Sequence, residues 1–298
     1  MDEKKPFLTV FTPTYNRKET LERSYQALLR QSNKDFEWII VDDGSTDHTW
    51  DQVEKWCENE NGFPIRYVWK DNGGLHTGYN VAISLARGEL AVCIDSDDYM
   101  PDNAVQRIYD LWREKGGDDY AGIIGLNSST EGEILWEKLP DQDSLDLIEW
   151  SFGRKAKRRG DKKLVVRTEL YREVAPLTGF PGEKYFNPHY MHLQIGLKRQ
   201  FLVLNECILI CDYLSTGMGA NMYKQYKNSP NSFLERRKLE LSVSRNLKHK
   251  LRTGVHFVSS ALLAHRFVRE FISSQHKGLL LLCFLPGLLL TAIVLVRG

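Results

Sequence analysis

The chain has 298 residues, 42% of them hydrophobic, with Lys+Arg 40 against Asp+Glu 39 for a net charge of +1. That length holds one large domain or a domain with an appendage. The five cysteines, at 57, 93, 207, 211 and 283, form no CxxC pair, which excludes a disulfide framework and reads as reduced thiols. The near-zero total hides an asymmetry: residues 224–277 carry twelve Lys/Arg and three Asp/Glu, so residues 1–223 sit near −9. A basic end on an acidic body points to an anionic surface, membrane or nucleic acid, as its partner. The start, Met1 to Pro6, has no apolar signal-peptide core, so the body is expected in the cytoplasm.

In chain order, Phe7 to Thr12 is β-rich and leads into Pro13-Thr14-Tyr15-Asn16-Arg17. Leu21, Tyr25, Leu28 and Leu29 fall on one face of a helix over 18–31. Phe36 to Val41 predicts a second strand, closing on Asp42-Asp43-Gly44-Ser45-Thr46-Asp47, and the next helix turns Trp50, Val53 and Cys57 inward. A third strand, Ile65 to Trp69, precedes a flexible loop, Lys70 to His76, and a helix through Asn80 and Ala86. Then comes the run that organises the rest: Leu90 to Ile94, an apolar strand that ends in Asp95-Ser96-Asp97-Asp98, with Pro101 where a helix could begin. Alternating strands and helices at this spacing predict an α/β fold, a mostly parallel sheet covered by helices on both faces.

The second half is less regular. Ala121–Leu126 and Leu164–Thr168 read as strands, with a basic run from Arg154 to Lys163 between them, most simply a solvated loop and alternatively a contact for an anionic partner. Asn187-Pro188-His189 opens a helix through Leu197; Phe201–Asn205 and Cys207–Tyr213 are strand-like. Ser232 to His276 reads as two basic helices, and Leu279 to Val296 gives eighteen uncharged residues interrupted by Pro286-Gly287. Eighteen residues at ~1.5 Å rise reach ~27 Å, just short of a ~30 Å hydrocarbon core, and Pro286-Gly287 would kink a helix there. A re-entrant, interfacial or single-span tail is expected, with the basic segment on the anionic cytoplasmic leaflet. The alternative is a buried helix pair; nucleic acid is the less simple partner beside so apolar a tail. The expected domains are thus 1–223 (a first half, 1–115, and a second half, 116–223), a basic helical segment at 224–277 and a membrane-associating tail at 278–298.

Strand ends on the carboxyl edge of an open α/β sheet are where ligands bind. Three carboxylates within four residues repel one another, and a hard cation, Mg²⁺ or Mn²⁺, shared with substrate phosphates would offset them. The plainer reading is that Asp97 or Asp98 caps the following helix, and that Asp43 is a turn residue before Gly44. No GxGxxG follows an early strand, which excludes a dinucleotide-binding oxidoreductase, and Tyr99 and Gln106 at positions five and twelve exclude an EF-hand. Sugar nucleotidyltransferases share the alternating sheet and the acid pair, but Pro13–Arg17 lacks the glycine-rich phosphate loop they need.

Pro13-Thr14-Tyr15-Asn16-Arg17, Val41 to Asp47 and Asp95-Ser96-Asp97-Asp98, in this order and spacing, resemble motifs of the family 2 glycosyltransferases, over roughly residues 7–215. The resemblance implies a GT-A fold, a nucleotide-sugar donor, a UDP-sugar first, and an inverting transfer. It implies that Pro13 and Tyr15 line the nucleotide pocket with Arg17, and that Asp43, next to Asp42, accepts a hydrogen bond from uracil. Asp95 and Ser96 would lie near ribose and diphosphate, and Asp97, with Asp95, would ligate the metal. Gly74, His76 and Asn80 would lie under the donor sugar and phosphates; helix capping is the competing reading for His76 and Asn80. The family's base is an Asp or Glu at a helix start in the acceptor half, where this chain has His189, with Glu183 as rival. That departure also leaves room for a membrane-docked binding protein without turnover. The Gln-x-x-Arg-Trp signature of processive synthases is absent, so single-sugar transfer to a glycan or lipid-linked acceptor, in cell-surface glycan synthesis at the cytoplasmic face of a membrane, is expected.

Overall fold

The computed structural model describes residues 5–156, 160–211 and 222–298. They divide into two compact units, one drawn from 1–147, 159–177 and 191–212, the other from 148–158, 178–190 and 213–298.

The first unit begins with β1 (Leu8–Thr14), α1 (Lys18–Leu29), β2 (Phe36–Asp42), α2 (Thr49–Glu58), β3 (Ile65–Trp69), α3 (Leu75–Leu85), β4 (Leu90–Cys93) and α4 (Ala104–Lys115). Along the chain follow β5 (Tyr120–Ser128), β6 (Ser144–Leu145), α5 (Leu147–Phe152), which after Leu147 belongs to the second unit, β7 (Lys163–Arg167), α6 (Thr168–Val174), α7 (His189–Gly196), whose first two residues belong to the second unit, and β8 (Gln200–Ile210). The eight strands make one sheet in the order β3-β2-β1-β4-β7-β5-β8-β6. The first four are parallel, β7 runs antiparallel between β4 and β5, and β8 is parallel to β5.

Every residue of β1, β2 and β4 is buried, which is why these strands read as unbroken apolar runs. Trp38 of β2 is fully buried beside Tyr25 of α1 and Trp56 of α2, whose rings stack at 4.3 Å. One charged exception in mid-strand is Glu37, with no exposed surface, which accepts from Thr9 Oγ1 at 2.7 Å and the Arg87 amide at 2.6 Å. Two expected strands, over 201–205 and 207–213, are one strand, β8, whose pairing with β5 shifts register around Leu126. Residue Tyr213, the expected end, lies outside the described residues, as do Lys157, Arg158 and Arg159 of the basic run.

In the second unit, α8 (Met222–Asn228), α9 (Pro230–Val243), α10 (Leu247–Leu263), α11 (Phe267–Ser273), α12 (Lys277–Leu282) and α13 (Phe284–Arg297) follow one another. The expected two basic helices are therefore three, α9 to α11. Leu234, Leu241, Phe257, Val258, Ala261, Leu280 and Cys283 form their core. The apolar tail breaks at Cys283, three residues before the expected kink, because this places Pro286 in the first turn of α13, where a missing N–H costs nothing. Gly287 serves packing instead: a Cβ there would stand 2.6 Å from Val258 Cβ. Among the described residues no helix is long and apolar enough to cross a membrane. What the tail presents outward is an apolar ridge, with Leu281, Leu282, Leu285, Leu288, Leu289, Leu295 and Val296 exposed.

Candidate active site

Register sets the frame. Thr14 pairs with Asp42 and Phe11 with Cys93, so β2 and β4 flank β1 and open on the same sheet edge. Two inter-strand steps put the two acidic ends about 10 Å apart. The expected opening of both acid groups on one edge is what the sheet builds.

Three loops on that edge are tied together. Asn16 donates its amide to Ser45 Oγ at 2.9 Å and accepts from the Thr46 amide at 2.8 Å, while the Lys18 amide donates to Asp47 at 3.0 Å. These bonds hold Pro13–Arg17 against the loop after β2 and leave the Tyr15 ring half exposed over it. Arg17 is the N-cap of α1, and Pro13 is buried against α3, where a Cβ on Gly78 would meet its ring at 3.0 Å. Asp42 accepts from the Ser45 amide at 2.7 Å and from the Tyr67 hydroxyl at 2.6 Å.

Asp43 has a fuller role than its sequence context suggests. One carboxylate oxygen accepts from Lys70 Nζ at 2.6 Å and the Gly73 amide at 2.9 Å; the other accepts from the Gly74 amide at 2.8 Å and Asn72 Nδ2 at 3.2 Å. Four donors fill the lone-pair sites of a carboxylate. The loop expected to be flexible is thereby pinned, and Gly74, at φ +93, makes the left-handed turn that starts α3. His76 is buried in the first turn of α3. Asn80 clamps a backbone segment, donating to the Leu177 carbonyl at 3.0 Å and accepting from its amide at 2.8 Å.

The turn after β4 is held by its backbone. Ile94 donates to Phe11 at 2.9 Å, Tyr99 exchanges hydrogen bonds with Ile210, and the Asp98 amide closes onto Asp95 at 2.9 Å. From α1, Ser24 Oγ donates to the Asp98 carbonyl at 2.6 Å and Arg23 to the Asp97 carbonyl at 2.7 Å. Ser96 and Asp98 are buried; Asp95 and Asp97 are half-buried. Burial first, and then the Asp95 charge, push the Asp98 carboxyl well above the usual carboxylate range. Lys163, at the start of β7, sits against this turn and donates to the Cys93 carbonyl at 3.0 Å. Burial opposes its ammonium, yet Asp95 foremost outweighs that and holds its pKa above the ordinary lysine value. The crowding of like charges read from the sequence thus shows as a raised Asp98 carboxyl beside a lysine.

The Asp97 carboxylate takes no hydrogen-bond partner among the described residues, where Asp97 contributes only its backbone carbonyl. No group of three or more His, Cys, Asp or Glu that could hold a metal occurs among them. Hard carboxylate oxygens on Asp97 and Asp95 suit Mg²⁺ or Mn²⁺, which commonly take one or two carboxylates and complete their shell with phosphate oxygens and water. The donor set fits an ion that arrives with a diphosphate.

In the second unit, Glu183 is buried, and both its oxygens are engaged at the N-terminus of α9. They accept from the Asn231 amide at 2.8 Å and its Nδ2 at 2.9 Å, and from the Ser232 amide at 2.8 Å and Oγ at 2.6 Å. This expected proton acceptor caps a helix. His189 starts α7, its amide donating to Asn187 Oδ1 at 2.9 Å. Burial, and then Arg236, lower its pKa to about 4, so the imidazole is neutral at physiological pH.

A family model described as glycosyl transferase family 2 matches residues 9–170, more than half of the chain. The chain belongs to the family 2 glycosyltransferases. Among curated relatives of this glycosyltransferase, glycosyltransferase GlyG of Streptococcus pneumoniae serotype 4 is 26% identical over 219 residues, 70% of this chain and 69% of that one. Among solved structures, S. aureus TarS 1–349 in complex with UDP superposes with a TM-score of 0.58 at 17% identity, over 96% of this chain and 89% of that one. The mannosyltransferase PcManGT from Pyrobaculum calidifontis, in complex with GDP-Man and Mn²⁺, gives 0.54 at 15% identity, over 97% and 87%. These likenesses establish the GT-A fold.

Sequence reasoning did not find Lys163, Lys70, Arg23 or Tyr67. The first two lie in basic or loop-like stretches, and only strand pairing brings them to the acids.

Proposed function

We propose that this glycosyltransferase moves a single sugar from a nucleotide diphosphate-sugar, a UDP-sugar first, to a hydroxyl of a glycan or lipid-linked acceptor, with inversion at the anomeric carbon. The observation that carries the reading is the pair of acidic strand ends flanking β1 on one sheet edge, the earlier of them tied by hydrogen bonds to the loop after β1. The complexes in which the two structural neighbours were solved, with UDP and with GDP-Man and Mn²⁺, support it.

In this reading Pro13, Tyr15 and Arg17 line the nucleoside pocket, and Asp42 and Asp43 form its wall. Asp43 acts by fixing the loop through Gly74, with His76 and Asn80 setting the α3 side of the donor. Asp95 and Ser96 lie by the ribose and diphosphate, and Asp97 with Asp95 holds the divalent cation, Mn²⁺ or Mg²⁺. That cation, when bound, stabilises charge building on the leaving diphosphate. The acceptor hydroxyl hands its proton to His189 rather than Glu183, whose oxygens are already occupied by four donors. With a pKa near 4, His189 orients the hydroxyl by accepting its hydrogen bond and takes the proton only as charge develops. The test is a panel of UDP-, GDP- and dTDP-sugars with Mn²⁺ or Mg²⁺ and membrane extract as acceptor source. One donor should be consumed only with a divalent ion and yield an inverted product. Donor binding without consumption would favour a binding protein that lacks turnover.

The exposed ridge on α12 and α13 carries a second part of the proposal. Its outward residues recur every three to four positions, while Gly287, Thr291 and Val294 face inward. An amphipathic helix of this kind lies in a bilayer interface rather than across it, and Lys277 and Arg297 bracket the ridge with positive charge. We place the enzyme on the cytoplasmic face of an anionic membrane, held by this ridge. The protein should float with vesicles containing phosphatidylglycerol, and the double variant Leu285→Asp, Leu289→Asp should lose at least about tenfold in binding. Equal flotation of the variant would remove the ridge from the account.

A further inference from the structure

β7 pairs antiparallel with β4, Val92 opposite Val165, and running that register two residues further brings Lys163 to the aspartate turn. Its Nζ donates to the Cys93 carbonyl at 3.0 Å, two residues before Asp95. The side chain is half-buried, and its main electrostatic partners include Asp95 and Asp98. A lysine held by a strand carbonyl cannot swing away from the acids as a surface lysine would. Its ammonium is a fixed charge beside the strand end that carries the carboxylates.

A lone cation approaching Asp95 and Asp97 meets repulsion from that ammonium. A cation bound to a diphosphate brings two or more negative charges with it, and the same ammonium then attracts. We propose that Lys163 is a positioning residue for the donor, a resident counter-cation that makes the divalent ion enter only together with the diphosphate. This rests on the donor reading above and adds an order of binding to it. Lys163 acts through the acids and the phosphates and takes no part in proton transfer.

The test uses the full chain, Mn²⁺ alone and Mn²⁺ with UDP, and reads free Mn²⁺ by electron paramagnetic resonance and UDP by calorimetry. Lys163→Met should bind Mn²⁺ alone about tenfold more tightly than wild type, and UDP with Mn²⁺ about tenfold more weakly. Lys163→Arg, which keeps the charge, should resemble wild type in both. A purely structural lysine would weaken both affinities together. Mn²⁺ affinity in Lys163→Met equal to or below wild type, or failure of Lys163→Arg to restore it, overturns the inference while leaving the donor reading intact. If wild type binds no UDP with Mn²⁺, the donor reading falls and this inference with it. Melting temperatures check folding; should Lys163→Met not fold, Lys163→Gln makes the same comparison.

Discussion

Asp97→Ala is expected to lower turnover by about a thousandfold while leaving the melting temperature unchanged. The two halves of that expectation have separate physical grounds. The turn keeps its shape through backbone bonds: Arg23 and Ser24 hold the Asp97 and Asp98 carbonyls, and Ile94 and Tyr99 anchor its two ends. None of these uses the Asp97 carboxylate, so its removal takes nothing from the fold. In the proposed reaction the activity depends on it, because it is the half-buried acid left without a hydrogen-bond partner among the described residues and so open to the cation. Steady-state rates over a range of Mn²⁺ concentrations, beside a thermal melt, check both halves. Wild-type rates in Asp97→Ala would move the cation to another ligand, and Asp97→Asn should be nearly as inactive as Ala because an amide binds Mn²⁺ weakly.

Glu183→Ala is expected to fail in the opposite way, by losing about 2–4 kcal/mol of stability rather than the chemical step. Four donors at the start of α9, two amides and two side-chain groups, lose a buried acceptor at once, and the negative charge that complements the helix N-terminus goes with them. Urea denaturation measures the loss. In the protein that remains folded, kcat should stay within about threefold of wild type, whereas a general base would cost a hundredfold or more. Glu183→Gln should recover part of the stability, since it keeps one acceptor oxygen but sets an amide NH₂ against donors. His189→Ala is the counterpart: little change in donor affinity and a fall in kcat. A large kcat loss in Glu183→Ala at unchanged stability would reverse the two roles.

The first hundred residues were legible because buried parallel strands must be continuous apolar runs, and the polar residues that end them mark the ligand edge. β1, β2 and β4 and their terminal acids could be read for that reason. Lys163 could not, because in one dimension it closes a basic run that resembles a solvated loop; only the antiparallel pairing of β7 with β4, across 70 residues, gives it a place. Glu183 misled for a similar reason. An acid ahead of a helix start suggests chemistry, and nothing local reveals that its partners are Asn231 and Ser232, 48 and 49 residues on. In the tail, Pro286-Gly287 was visible, but its effect depended on where the helix begins. By starting at Phe284, α13 admits the proline in its first turn and uses the glycine to approach Val258.

The alignment of β2, β1 and β4 also works as a gauge. Hydrogen-bonded neighbours in a sheet cannot change their separation, so the gap between the Asp42 and Asp95 ends is a fixed length that side-chain motion cannot stretch. For the proposed donor, a molecule with one phosphate would leave one terminus unfilled, and a bulkier bridge would overshoot it. Length discrimination of this kind is expected to survive replacement of surface residues around the rim and to be lost by a change that lets β1 slip against its neighbours.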